Sequence, residues 1–252
     1  MARQLPLPNS ALAPSALHSA LSIAVVIAAG GWLLVQHADW PKFQVGTALI
    51  GYAILAACVA IAATSHLKGA VFGLANQITL LRAGLVCLVG SEILAGAAPV
   101  QTSWSLAALI ALALSVDAVD GWLARRLGSA SSFGARFDLE IDALMLMILS
   151  VLVWQADRAG LWVLAIGLLR YGFVALGLVW AGIRRPLPYS FRRKTICAVL
   201  GVLLLVCMLP PTPWWLALSA AATAFLLQLL SFGIDLFWLV RRDIATGSRG
   251  HA

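Results

Sequence analysis

Four aspartates stand in the stretch SVDAVDGWLARRLGSASSFGARFDLEID, residues 115–142, beside some of the most apolar sequence in the chain. Asp117 and Asp120 are spaced i,i+3, and Asp138 and Asp142 are spaced i,i+4. Either spacing sets both carboxylates on one face of a helix. Carboxylates held close together repel. Burying them is costly, or forces one to keep its proton, unless a positive group is shared between them. Single acids near helix ends are explained as caps or as partners for Arg125, Arg126 and Arg136, but two phased pairs are not. Glu140, out of phase with its neighbours, reads as a surface acid.

Clustered carboxylate oxygens suit a hard divalent cation, Mg2+ or Mn2+, and Mg2+ characteristically joins carboxylates to substrate phosphates. Zinc fits poorly without His or thiolate ligands. Small residues surround the acids: Gly121 follows Asp120, Ala124 lies about one turn further on, and Gly134 precedes Asp138 by a turn. A face stripped of side-chain bulk between metal ligands lets a nucleotide or phosphate lie against the backbone, with Arg125 at hand to neutralise it. The residues thus predict a carboxylate metal site for a phosphate-bearing substrate. Without the metal, the acids should repel and loosen their helices.

The elements that position these groups are helices in a bilayer. Of 252 residues 62% are hydrophobic and 11% charged, against roughly 25% charged in soluble domains. Apolar stretches near 19–36, 44–65, 76–95, 103–124, 136–156, 160–181, 193–209 and 213–240 approach the length needed to span a bilayer. The expected class is an all-α polytopic membrane protein of eight spans. The turn RRLGSASSF would join two antiparallel helices and bring the four carboxylates toward one point. The apolar run near the N-terminus reads as a retained first helix rather than a cleaved leader.

With eight spans, Arg3, Lys68, Arg125, Arg126, Arg136, Arg184, Arg185, Arg192, Arg193, Lys194, Arg241, Arg242 and Arg249 share one side, with little more than Lys42 and Arg158 opposite. This asymmetry predicts that both termini and the mouth of the aspartate cluster face the cytoplasm, in a bacterial inner membrane. The net charge of +7 is therefore assigned to topology, where it can face anionic lipid or a phosphate-bearing substrate, and not to nucleic acid. Cys58, Cys87, Cys197 and Cys207 lack CxxC spacing and read as small core residues. Asp235 has two open readings, as a partner of Arg241 or Arg242, or as an inward-facing acid.

Asp117, Asp120, Gly121, Ala124, Arg125, Gly134, Asp138 and Asp142 together resemble the signature of the CDP-alcohol phosphatidyltransferase family: Asp, two residues, Asp-Gly, two residues, Ala-Arg, eight residues, Gly, three residues, Asp, three residues, Asp. A second landmark, ANQITLLR, is similar to the family's Pro-Asn-x-x-Thr-x-x-Arg start, with Asn76, Thr79 and Arg82 in place and Ala75 where the family has Pro. The resemblance implies a six-helix catalytic core within residues 71–245, preceded by a two-helix extension in residues 1–70 and followed by a flexible tail, 246–252.

It further implies transfer of a phosphatidyl group from a CDP-linked lipid such as CDP-diacylglycerol to an alcohol, with release of CMP, by a homodimeric enzyme using two divalent ions. By the same resemblance, Asp117, Asp120 and Asp138 bind metal, Asp142 joins them or acts as base, and Gly121, Ala124, Arg125 and Gly134 line the nucleotide. Asn76, Thr79 and Arg82 become candidate substrate contacts. Arg170 within the sixth helix either touches substrate or an acidic partner or snorkels, and Arg193 and Lys194 at the start of the seventh either contact a phosphate of the acceptor or only mark the cytoplasmic helix end. A phosphorylated acceptor would use that charge, so phosphatidylglycerophosphate synthesis from glycerol 3-phosphate is the leading named alternative, ahead of an inositol-phosphate or serine acceptor. A transporter and a noncatalytic lipid-binding protein are the other classes. The first should show broken midplane helices or an internal repeat, and neither is visible in the sequence. The second leaves the complete acidic set unexplained.

Overall fold

The computed structural model describes residues 12–38, 40–66, 74–95, 100, 102–127, 132–179 and 191–247. These residues form eight helices: α1 (Leu12–His37), α2 (Lys42–His66), α3 (Leu74–Ser91), α4 (Trp104–Leu127), α5 (Ser132–Gln155), α6 (Leu164–Val179), α7 (Phe191–Met208) and α8 (Trp214–Gly247). Among the described residues there is no strand. The all-α expectation therefore holds, and each of the eight apolar stretches became one helix.

Among the described residues, five helical segments are long and apolar enough to cross a membrane: Ala16–His37, Lys42–Ala63, Asn76–Leu94, Leu161–Leu178 and Trp214–Arg242. The protein is a polytopic membrane protein. α5 and α7 are not among those segments because charge interrupts their apolar runs. α5 carries Arg136, Asp138, Glu140 and Asp142 in its first half, and α7 opens with Arg192, Arg193 and Lys194.

The chain divides into two units, Met1–Leu144 and Met145–Ala252. In the first, α3 packs against α1, α2 and α4. Half of its apolar stretch is buried, against 11% for α1. Leu80 and Leu88 on α3 and Leu106 and Ile110 on α4 are buried, none of them more than 2% exposed. The outer face of α1 presents Leu21, Val25 and Leu33. Lipid tails are as apolar as these side chains, so close packing rather than transfer from water must hold the bundle together.

Gly84 shows how that packing works, since a Cβ there would lie 1.9 Å from Ile27 Cδ1. Its missing side chain is what lets α1 approach α3. The Tyr52 hydroxyl donates to the Ala20 carbonyl at 3.1 Å, tying α2 to α1. α4 begins where Ser103 Oγ accepts the Leu106 amide at 3.1 Å, a side-chain cap on a donor the helix cannot satisfy itself.

In the second unit, α8 packs against α6 and α7. The rest of α5 meets α6 at Gly167, where a Cβ would lie 2.5 Å from the Met147 Cα. Gln228 Nε2 donates to the Ile166 carbonyl at 3.1 Å, a buried link between α8 and α6. Asp157 ends α5 in the left-handed conformation, φ 54°, and the Arg158 amide turns back to the Val153 carbonyl. That geometry closes a helix C-terminus, and Asp is among the few side chains that tolerate it.

Candidate functional site

α3 supplies a polar stripe within an apolar helix. Asn76, Thr79 and Arg82 recur every three residues, on one face, and are 7%, 3% and 2% exposed. A guanidinium buried in such a helix requires acidic partners, and α4 and α5 provide them. Arg82 Nη1 donates to Asp117 Oδ1 and lies 2.9 Å from Asp138 Oδ1. Arg82 Nη2 meets Asp142 Oδ1 at 3.0 Å and donates to the Asp138 main-chain carbonyl at 3.1 Å.

The three carboxylates converge as their helical phasing predicts. Asp117, Asp138 and Asp142 each place a carboxylate oxygen within 4.8 Å of the others, and all three are half-buried. Glu140 points elsewhere and is exposed. Asp138 Oδ1 is buried and makes no hydrogen bond; its 2.9 Å approach to Arg82 Nη1 is an ion contact without hydrogen-bond alignment. A buried carboxylate oxygen in that condition, beside two more, fits a hard divalent cation and not a soft one. The donor set is thus suited to a divalent metal.

Other candidates divide by position. Gly134 lies one turn before Asp138 on α5 and is half-buried. Asp120, Gly121, Ala124 and Arg125 continue α4 beyond Asp117, but their side chains lie outside the described residues. Arg170 on α6 and Arg193 and Lys194 on α7 belong to the second unit and are half-buried.

Two partnerships were not expected from spacing. The first is Arg82 with the acids, where the family resemblance implies a substrate contact. The signal that could have found it is its isolation as the one cation of an apolar helix, with polar residues one and two turns before it. The second is Asp235, which projects inward to α7. Arg192 Nη2 pairs with its Oδ1 at 2.5 Å, Arg193 Nη1 stands 3.7 Å from its Oδ2, and Arg192 Nη1 also donates to the Ser231 carbonyl at 3.3 Å.

Comparison with known proteins bears on the same residues. Residues 72–233 match the family model described as CDP-alcohol phosphatidyltransferase. The chain is 32% identical over 158 residues, 58% of its length and 78% of the relative's, to a Pseudomonas fluorescens protein named CDP-diacylglycerol–glycerol-3-phosphate 3-phosphatidyltransferase. No solved structure matches the chain. The matched range includes Arg82 and all four aspartates, and begins after α1 and α2.

Proposed function

Because the chain belongs to the CDP-alcohol phosphatidyltransferase family, we propose that it is a phosphatidylglycerophosphate synthase, moving the phosphatidyl group of CDP-diacylglycerol onto glycerol 3-phosphate. The reaction class follows from membership: a phosphatidyl group passes from a CDP-linked lipid to the hydroxyl of an acceptor alcohol. The choice of acceptor rests on one observation, the 32% identity to a protein named for glycerol 3-phosphate. Arg170, Arg193 and Lys194 are groups of the kind a phosphorylated acceptor needs.

In this reading Asp117, Asp138 and Asp142 hold a divalent cation, Mg2+ or Mn2+, and Asp120 joins them in a site for two ions. A metal bound there supplies charge neutralisation for a pyrophosphate and its departing nucleotide. Gly121, Ala124 and Gly134 leave room for the nucleotide against the backbone, and Arg125 pairs with its phosphate. Asp142 takes the proton of the acceptor hydroxyl while that oxygen attacks the lipid-side phosphorus. The bond from this phosphorus to the bridging oxygen breaks, and CMP leaves with the bridging oxygen. A carboxylate is a weak base for an alcohol, so proton transfer comes late, after the new P–O bond has begun to form.

The acyl chains of such a donor can remain in hydrocarbon while its headgroup reaches the acids at a helix end. We place that end and both termini in the cytoplasm, with all eight helices spanning, and take the active form to be a homodimer. The test is reconstitution of the purified protein with CDP-diacylglycerol, Mg2+ or Mn2+, and separately glycerol 3-phosphate, inositol phosphate, inositol or serine, measuring CMP and the lipid formed. Glycerol 3-phosphate should give the fastest turnover. Faster turnover with another acceptor would replace the named product.

A further inference from the structure

Arg82 has a place in the site that the transfer chemistry does not use. It stands on α3, while the acids stand on α4 and α5, so it is the group through which the third helix enters the cluster. It is 2% exposed and touches the same atom, Oδ1, of Asp117, Asp138 and Asp142. Its Nη2 is also fixed to main chain, at the Asp138 carbonyl.

We propose that Arg82 is the positioning residue of the metal centre: it contacts all three aspartates and so holds their carboxylates together around a shared divalent cation, with acceptor positions on each still open to that ion. This rests on the metal reading given above and deepens it. A carboxylate has two oxygens and about four acceptor positions, so one donor does not exhaust it. The planar guanidinium fork reaches three acids at fixed angles, which a single ammonium cannot do. Charge points the same way. Three carboxylates outnumber one guanidinium, so the set stays anionic with Arg82 in place and still attracts a cation. The main-chain anchor and near-complete burial hold Arg82 in place when metal arrives, so it organises the ligands without competing for them.

The opposite role, a counter-cation that metal must displace, predicts the opposite sign and can be told apart. The experiment titrates Mn2+ into the purified full-length protein in detergent, following free Mn2+ by electron paramagnetic resonance, with thermal unfolding measured in EDTA and in saturating Mn2+. Arg82→Lys keeps the charge and loses the fork. Its Mn2+ affinity should fall by roughly 10–100-fold, the range for groups that orient metal ligands, while its melting temperature in EDTA stays near wild type. Arg82→Gln should melt lower than wild type in EDTA and recover much of the difference with Mn2+. Wild-type affinity in Arg82→Lys, or tighter binding in Arg82→Gln, would overturn the proposal; if Arg82→Gln does not fold, the Lys variant decides alone. A wild-type protein that transfers phosphatidyl groups but binds no Mn2+ would remove the metal reading as well. Normal binding in both wild type and Arg82→Lys removes only the role of Arg82.

Discussion

Among individual residues, the carboxylates share a site but should not share a task. Asp117 is held by Arg82 and belongs to the set that could hold a metal; Asp117→Asn removes a negative ligand and should weaken Mn2+ binding and turnover together. Asp142→Asn retains an oxygen that can ligate but loses the capacity to accept a proton. If Asp142 is the base, turnover should fall about 10²–10⁴-fold, the usual yield of general base catalysis, while Mn2+ affinity changes less than about tenfold. Equilibrium Mn2+ binding beside steady-state CMP release checks both. Equal losses of affinity in the two variants would make Asp142 a ligand only. The aspartates were legible in the sequence because helical phase alone brings i,i+3 and i,i+4 pairs to one face. Arg82 was legible as a polar residue but not as their partner, since it meets Asp117 across 35 positions of chain, where local phase says nothing.

At the level of helices, small residues set how closely two axes approach, and the two tightest contacts differ in what stands opposite. Gly84 faces the flexible tip of Ile27, whereas Gly167 faces the Met147 backbone. A side chain can rotate away and a backbone cannot. Gly84→Ala should therefore cost about 1–3 kcal/mol by overpacking, with much of that returned in the Gly84→Ala, Ile27→Ala double variant, where the opposing side chain is also shortened. Gly167→Ala should cost more, with no such single-side-chain rescue; thermal unfolding in detergent reads all three. Ion pairs between helices follow another rule. Asp235 binds Arg192 across 43 positions in preference to Arg241 or Arg242 on its own helix. Those arginines stand six and seven residues on, beyond the i,i+4 reach of a helical pair. They instead lie over Phe237 and Trp238, four residues before each, at 5.1 Å. Asp235→Ala should lower stability by about 1–2 kcal/mol, because Arg192 is 34% exposed and water moderates the loss of its partner. Helix positions were readable from apolar runs, since a bilayer admits little else. Which helices touch was not, because their outward and inward faces are almost equally apolar.

On the scale of the whole molecule, charge placement argues the topology that hydropathy leaves open. Among the described residues five segments qualify as spans by length and composition, and if they alone crossed, an odd number would put the two termini on opposite sides. Yet α4, α5 and α7 are 24, 24 and 18 residues long, about 36, 36 and 27 Å at 1.5 Å per residue, long enough to cross or nearly cross a hydrocarbon core of about 30 Å. Their charges lie toward one end of each, where the aspartates have Arg82 as a neutralising partner and the α7 cations can reach headgroups. Eight spans then put the basic ends of α4, α5, α7 and α8 on one side, as the bias of positive residues toward the cytoplasm requires. Five spans would scatter them. Reporter fusions decide between these arrangements: an alkaline phosphatase joined after residue 247 should be inactive, a fluorescent protein joined there should glow, and phosphatase joined within 96–101 should be active. Active phosphatase at the C-terminal junction would overturn the eight-span arrangement. With it would go the cytoplasmic placement of the aspartates, and so the premise that a water-soluble phosphorylated acceptor reaches them from the cell interior.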